Sequence, residues 1–250
     1  MKKFLLIILS SFFITNFSHS QVVGSRFEKL AKLYNEKRYE DCLYKSDTYT
    51  YKDKTKREAE PYLYMSMCYY QISKMEDPDI LEDYPKALKN SIKYLIKFKR
   101  KDKKDEYFTK NIDFVNKIGK LIIDEANNYY KDKNYRKAAT HFKQYSKLFP
   151  EDNNIKYMIG ACGMLANNYS EGQKYISEAI VTLVEDYKSE KSLKNINTSK
   201  ILEEAFILYS SYLVNDKKID SAKSTINIAK QFFPNSGNIT IQYNVINKVK

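Results

Sequence analysis

The sequence predicts an all-α helical-repeat solenoid of about five helix pairs with a C-terminal capping helix. Three observations carry that expectation. The 250-residue chain holds only 6 Gly and 5 Pro, so breakers are few and turns must be short. Apolar residues recur at steps of three and four, the helical period. A set of small and aromatic residues repeats at a spacing of about 34.

The clearest unit runs near 119–152. Ala126 is followed by Tyr129, Tyr135, Ala138, Phe142 and Pro150. Residues three and four apart share a helix face. Small Ala126 and Ala138 let two helices approach closely, while Tyr129, Tyr135 and Phe142 fill the space around the crossing. Lys131 to Asn134 supplies the turn, and Pro150 stops the second helix. The next unit, 153–186, places Gly160, Tyr169, Gly172, Ile176 and Ala179 on equivalent positions. The unit 203–236 repeats the set as Ser210, Leu213, Ile219, Ala222, Ile226, Ala229 and Pro234. Two fainter units precede them. In 59–100, Ser66 and Tyr69 open the first half, and Tyr84 to Ala87 opens the second after an insertion around 75–82. In 23–58, Tyr39 and Cys42 mark the pattern.

Between units, 105–131 reads as one long helix that Gly119 could kink or split. Residues 187–202 form an extra polar segment. After Pro234-Asn235-Ser236-Gly237, the stretch 238–250 reads as an amphipathic cap for the last repeat.

The first twenty residues read as an export signal. Lys2 and Lys3 precede the apolar run Phe4–Ile14, and Ser18-His19-Ser20 sets up cleavage at Ser20–Gln21. An uncleaved N-terminal anchor is the alternative. This start resembles the export signals of Bacteroidetes-type bacteria, which implies a periplasmic or secreted protein. Cleavage leaves 41 basic against 31 acidic side chains. A basic balance suits nucleic acid, anionic lipid or an acidic partner, or is a solvated surface; export argues against nucleic acid. Cys42, Cys68 and Cys162 make no disulfide framework and no C-x-x-C, and read as buried thiols.

No constellation for catalysis is visible, so no catalytic residue is assigned. The chain beyond the leader has one histidine, His141, set between Thr140 and Phe142. One His and three scattered Cys build no typical zinc site, and no glycine-rich phosphate loop occurs. No metal or cofactor is therefore expected. An accessory or degenerate enzyme using two distant carboxylates is the alternative. The run Lys97, Lys99, Arg100, Lys101, Lys103 and Lys104 is the densest charge feature. It reads either as cations favoured by a helix C-terminus or as a patch for an anionic membrane or acidic partner. Asn168, Asn197 and Asn238 begin Asn-x-Ser/Thr triplets, which carry no weight in a bacterial chain.

The repeated pattern resembles the tetratricopeptide repeat over most of 23–236. Glu125, where that family prefers an aliphatic residue, and Lys156, where it prefers an aromatic one, depart from it. The resemblance implies a right-handed solenoid acting as a protein-protein interaction scaffold, whose first helices line a concave groove for a peptide or protein partner. Carried over unit by unit, the groove positions are Tyr34; Tyr64, Met67 and Tyr70; Asn127 and Tyr130; Tyr157, Met158 and Met164; with Leu208 and Ser211. The family's clamp for a C-terminal carboxylate does not match, because Ile123 and Met158 occupy positions it needs.

Overall fold

A computed structural model describes residues 25–188 and 196–249; the leader call on 1–20 lies outside them. After a 3-10 turn at Ser25–Phe27, the helices are α1 (Glu28–Asn35), α2 (Tyr39–Tyr51), α3 (Glu60–Ile72), α4 (Pro78–Asp83), α5 (Ala87–Lys101), α6 (Glu106–Lys110), α7 (Ile112–Lys131), α8 (Tyr135–Ser146), α9 (Asn153–Leu165), α10 (Tyr169–Lys188), α11 (Ile196–Asn215), α12 (Ile219–Phe232) and α13 (Gly237–Asn247). No strand occurs among the described residues. Five pairs pack side by side: α1 with α2, α3 with α5, α7 with α8, α9 with α10, and α11 with α12. This is an all-α helical-repeat array.

Four pairs close through one and the same turn. Lys37, Lys133, Asn167 and Lys217 each take a positive φ between 55° and 62°. In each turn the following amide donates back five residues: Arg38 to the Leu33 carbonyl, Asn134 to Tyr129, Asn168 to Gly163, and Lys218 to Leu213. The left-handed residue just past the helix and the long back-bond satisfy carbonyls that the helix end would leave unpaired. The second helix then begins at Tyr39, Tyr135, Tyr169 or Ile219, positions the sequence singles out. Asn134 also caps α8, its side chain accepting from the Lys137 amide.

The small residues sit where helices cross. Ala126, Ala138, Ser210 and Ala222 have no exposed surface. Ser66 is equally buried, and its hydroxyl donates to the Ser91 carbonyl at 2.8 Å, so a polar group enters the α3–α5 crossing already satisfied. The α9–α10 crossing is the tightest. A Cβ on Gly160 would lie 2.6 Å from Ile176 Cγ1 and 2.9 Å from the Gly172 carbonyl oxygen. One on Gly163 would lie 3.0 Å from Gly172 Cα.

One expectation needs correction, and two segments gain detail. Residues 105–131 are two helices, and the break falls at Asn111, not Gly119. The Asn111 side chain donates to the Tyr107 carbonyl at 2.8 Å and its amide reaches the same turn, which closes α6. Gly119 lies within α7, where a Cβ would come 2.9 Å from the Phe149 ring; it makes room rather than a kink. The insertion around 75–82 carries its own short helix, α4, capped by the Asp77 carboxylate. The segment set aside as 187–202 is partly helix: α10 continues to Lys188 and α11 starts at Ile196.

At the C-terminal end, α13 buries Ile239 and Ile246 against α11 and α12 but leaves Ile241 and Val245 exposed. Ser236 caps it, accepting from the Ile239 amide and donating to Glu203 Oε1 at 2.6 Å. Cys42, Cys68 and Cys162 are buried free thiols. No described helix is long and apolar enough to cross a membrane.

Candidate functional site

The groove positions carried over from the family divide sharply. Tyr64, Met67, Tyr70, Tyr157, Met158 and Met164 are all buried. They are core residues and offer no surface to a partner, which corrects their assignment as contact residues. The cause is the way first helices stack. Helix α3 supplies Tyr64, Met65, Cys68 and Ile72 to one apolar cluster and Leu63, Met67 and Tyr70 to the next. Helix α9 packs against α8, α10 and α11 at once. A helix covered on both flanks has little surface left for a ligand. Tyr34 is half-buried and accepts from the Gln71 side-chain amide at 3.0 Å; burial pushes its phenol up to about 12. Leu208 is half-buried. Ser211 accepts from Gln242 of the cap at 2.8 Å.

Asn127 is different. It lies on one stripe of α7 with Asn116, Lys120, Ile123 and Lys131, spaced as helix neighbours. These residues line a cleft of about 550 Å³. Tyr145 in the last turn of α8 and Phe149 just beyond it close one side. Thr198, Lys200, Ile201 and Glu204 of α11 form the opposite wall. The walls are therefore two first helices, as the tetratricopeptide resemblance implies, while most of the individual side chains are not those carried over. Tyr130, one turn further along α7, is half-buried, with a phenol that burial raises to about 12.

Two groups in the cleft lack partners among the described residues. The Asn127 Oδ1 atom is buried without a hydrogen bond. Glu204 is half-buried and makes no ion pair or hydrogen bond among the described residues. Burial raises its carboxyl pKa, and Lys200 and Lys131 offset this only in part. The second acid, Asp124, is paired to Lys120 at 2.9 Å and largely exposed. So the cleft presents one poised carboxylate, one orphan amide oxygen and the apolar edges of Ile123, Ile201 and Phe149.

Behind the cleft, Asp152 ties α8, α9 and α11 together. Its carboxylate caps α9 by accepting from the Ile155 amide at 3.3 Å, and it accepts from the Thr198 hydroxyl at 3.3 Å. Burial raises its pKa above the ordinary 3.8, against the lowering effect of those bonds. An acid with a raised folded pKa stabilises the fold most when protonated, and loses that contribution as pH rises through the folded value. Asp152→Asn keeps the accepting oxygen and removes the charge. Its stability should improve relative to the wild type as pH climbs from below 3.8 to neutrality, by urea unfolding. A difference that does not move with pH would show the charge to be solvated.

A second cleft of about 450 Å³ lies between α8, α9 and α10. There Lys143 bonds Glu171 at 2.6 Å, Asn168 also donates to Glu171, and the lysine holds the carboxyl below its usual range. These two charges satisfy one another, and Arg136 also lines the cleft. His141 stacks on Tyr129 with ring centroids 5.2 Å apart, and its Nδ1 lies 3.7 Å from Glu125, the acid at an aliphatic position of the repeat. No group of His, Cys, Asp and Glu able to hold a metal occurs among the described residues.

The basic run also separates. Lys99 bonds Asp105 at 2.6 Å and lies over the Phe108 ring, so it is neutralised and packed away, which corrects its place in an anion patch. Lys99, Arg100 and Lys101 occupy the last turn of α5, where the helix dipole favours cations. Arg100, Lys103 and Lys104 are exposed.

Fold and cleft together define a class: an all-α array of paired helices with a polar cleft between the first helices of two pairs. No protein-family model matches the chain, and no curated protein matches it. Among solved structures it is similar to the TPR2AB-domain:pHSP90-complex of yeast Sti1, at 14% identity over 88% of this chain and 96% of that one, with a TM-score of 0.35. The fold assignment rests on this chain's own helix pairs and turns.

Proposed function

We propose that the chain is an exported, non-catalytic scaffold that holds a peptide segment of a partner protein in the cleft between α7 and α11, as a subunit of a cell-envelope assembly. The observation that carries this reading is the pairing of an unpartnered half-buried Glu204 with the orphan Asn127 Oδ1 across an open cleft. An unsatisfied buried acceptor is costly in the free protein. Backbone amides or a basic side chain of a bound segment satisfy both acceptors. Ile123, Ile201 and Phe149 supply apolar contact beside them. Export is supported by Lys2, Lys3, the apolar run to Ile14 and Ser18-His19-Ser20, and is checked by N-terminal sequencing of the secreted chain, expected to begin at Gln21.

The test of the cleft is a crosslinked pull-down from the native envelope with wild type and with Asn127→Leu plus Glu204→Lys. Neither side chain supports the core, so the variant should keep its helical circular dichroism. The partner recovered with wild type should be lost at least roughly tenfold, the loss of one charge-assisted contact and one neutral one. Equal recovery by the double variant excludes this cleft.

A further inference from the structure

The outer surface where α2 and α5 flank α3 carries a second feature. Lys93, Lys97, Arg100 and Lys101 of α5 gather with Arg57 from the loop before α3. None of the five forms an ion pair among the described residues. Tyrosine rings hold the ammonium groups in place: Lys97 and Lys93 lie 4.9 and 5.4 Å from the Tyr94 ring centre, and Lys101 lies 4.9 Å from that of Tyr62. Lys101 is also fixed by donating to the Lys56 carbonyl at 2.7 Å.

The cations crowd one another. Partial burial lowers the Lys97 pKa first, and Lys93 and Arg100 lower it further; Lys101 is lowered by burial and then by Arg100, Arg57 and Lys97. Asp47 of α2 is the acid that faces this group, and it attracts Lys97. One acid against five cations leaves the cluster strongly positive. Beside it Tyr51 stands 77% exposed, and Tyr44, seven residues back on the same stripe of α2, is equally exposed. Tyrosines with free polar tips beside lysines and arginines match the headgroup zone of a bilayer, where amphipathic rings settle and basic side chains meet lipid phosphates.

We propose that this face docks the protein on an anionic bilayer surface, Lys93, Lys97, Arg100 and Lys101 meeting lipid phosphates while Tyr51 and Tyr44 enter the headgroup layer. This surface is separate from the α7–α11 cleft, so membrane docking and partner capture are independent. It explains why like charges are held together on rigid rings despite their repulsion: the repulsion is relieved when phosphates arrive.

The test is co-sedimentation of the full chain with phosphatidylcholine vesicles, with and without about one-third phosphatidylglycerol. Binding is expected only with the anionic lipid. It should weaken at least roughly tenfold near 0.5 M salt, where the screening length falls to a few ångström. Lys97→Glu, Arg100→Glu and Lys101→Glu together should weaken it roughly a hundredfold, given the attraction of each basic side chain to an anionic leaflet. Arg100→Glu alone, at an exposed position, should weaken it severalfold and serves if the triple variant fails to fold. Binding to pure phosphatidylcholine, or binding that ignores both salt and Arg100→Glu, overturns the proposal in favour of the apolar N-terminal run. Binding to soluble polyglutamate without vesicle binding overturns it in favour of an acidic polypeptide. No binding to either overturns it outright.

Discussion

Gly160→Ala is expected to destabilise the protein by about 2 kcal/mol, and Gly160→Val by more, although alanine is the better helix former. Intrinsic propensity favours Ala over Gly by about 1 kcal/mol inside a helix. Packing opposes it. The added Cβ would meet Ile176 Cγ1 at 2.6 Å and two backbone atoms, the Gly172 carbonyl oxygen and the Ile176 amide nitrogen, each at 2.9 Å. A side chain can rotate away; backbone of a packed helix cannot move without separating α9 from α10. Overpacking of this kind costs about 1–3 kcal/mol and more when backbone must shift. Gly172 has the same constraint from the other side, its Cβ position lying 2.9 Å from the Met164 amide nitrogen. Gly237 is the control. Nothing lies within 4 Å of its Cβ position, so Gly237→Ala at the start of α13 should be neutral or stabilising by up to about 1 kcal/mol. Urea midpoints for the three variants decide the matter, and a Gly160→Ala midpoint at or above wild type would disprove the tight crossing. Because α9 joins α8 to α11, the damage should also show as faster amide exchange on both sides of the crossing, as expected where each repeat leans on its neighbours.

That crossing was legible in the sequence because size repeats where geometry repeats. Gly160 and Gly172 stand 34 residues after Ala126 and Ala138, and all four end up buried at helix contacts. The second-helix starts at Tyr39, Tyr135, Tyr169 and Ile219 were legible for the same reason. The turns were not. Three of the four left-handed positions are lysine, where glycine or asparagine would announce the conformation. The long-helix reading of 105–131 failed because Asn111 resembles any polar helix residue until its side chain is seen bonding backward to Tyr107. The cleft was half legible. Asn127 was found, but Lys120, Lys131 and Glu204 look like ordinary solvated charges. The usable signal was the contrast between helices. Helices α3 and α9 are apolar nearly all round, the mark of a helix buried on every side. Helix α7 is amphipathic, burying Val115, Ile118, Ile122 and Ala126 on one face and keeping polar residues, Asn116, Lys120, Asn127 and Lys131 among them, on the rest.

The same contrast fixes how tyrosine variants must be interpreted. Tyr157→Ala is expected to cost about 3–5 kcal/mol, the usual loss for a large buried aromatic cut to alanine. Its ring is 2% exposed, tilts against Phe206 at 4.6 Å and meets Tyr209 edge-on at 6.2 Å, inside the cluster that joins α9 to α11. Removing it opens a cavity between the last two pairs, α9/α10 and α11/α12. The α11 wall of the cleft then loosens, and partner binding falls without any contact having been lost. Tyr64→Ala should fail in the same way between α2 and α3. Neither variant can therefore report on ligand contacts. Tyr64→Phe separates the two effects. The Tyr64 hydroxyl is buried with no hydrogen-bond partner among the described residues, so deleting it relieves an unsatisfied group while the ring stays packed. Stability should hold or rise by about 1 kcal/mol, and partner recovery should match wild type. Loss of the partner on Tyr64→Phe, with stability intact, would mean that the hydroxyl reaches the ligand and that the packed arrangement of α3 opens when the ligand binds.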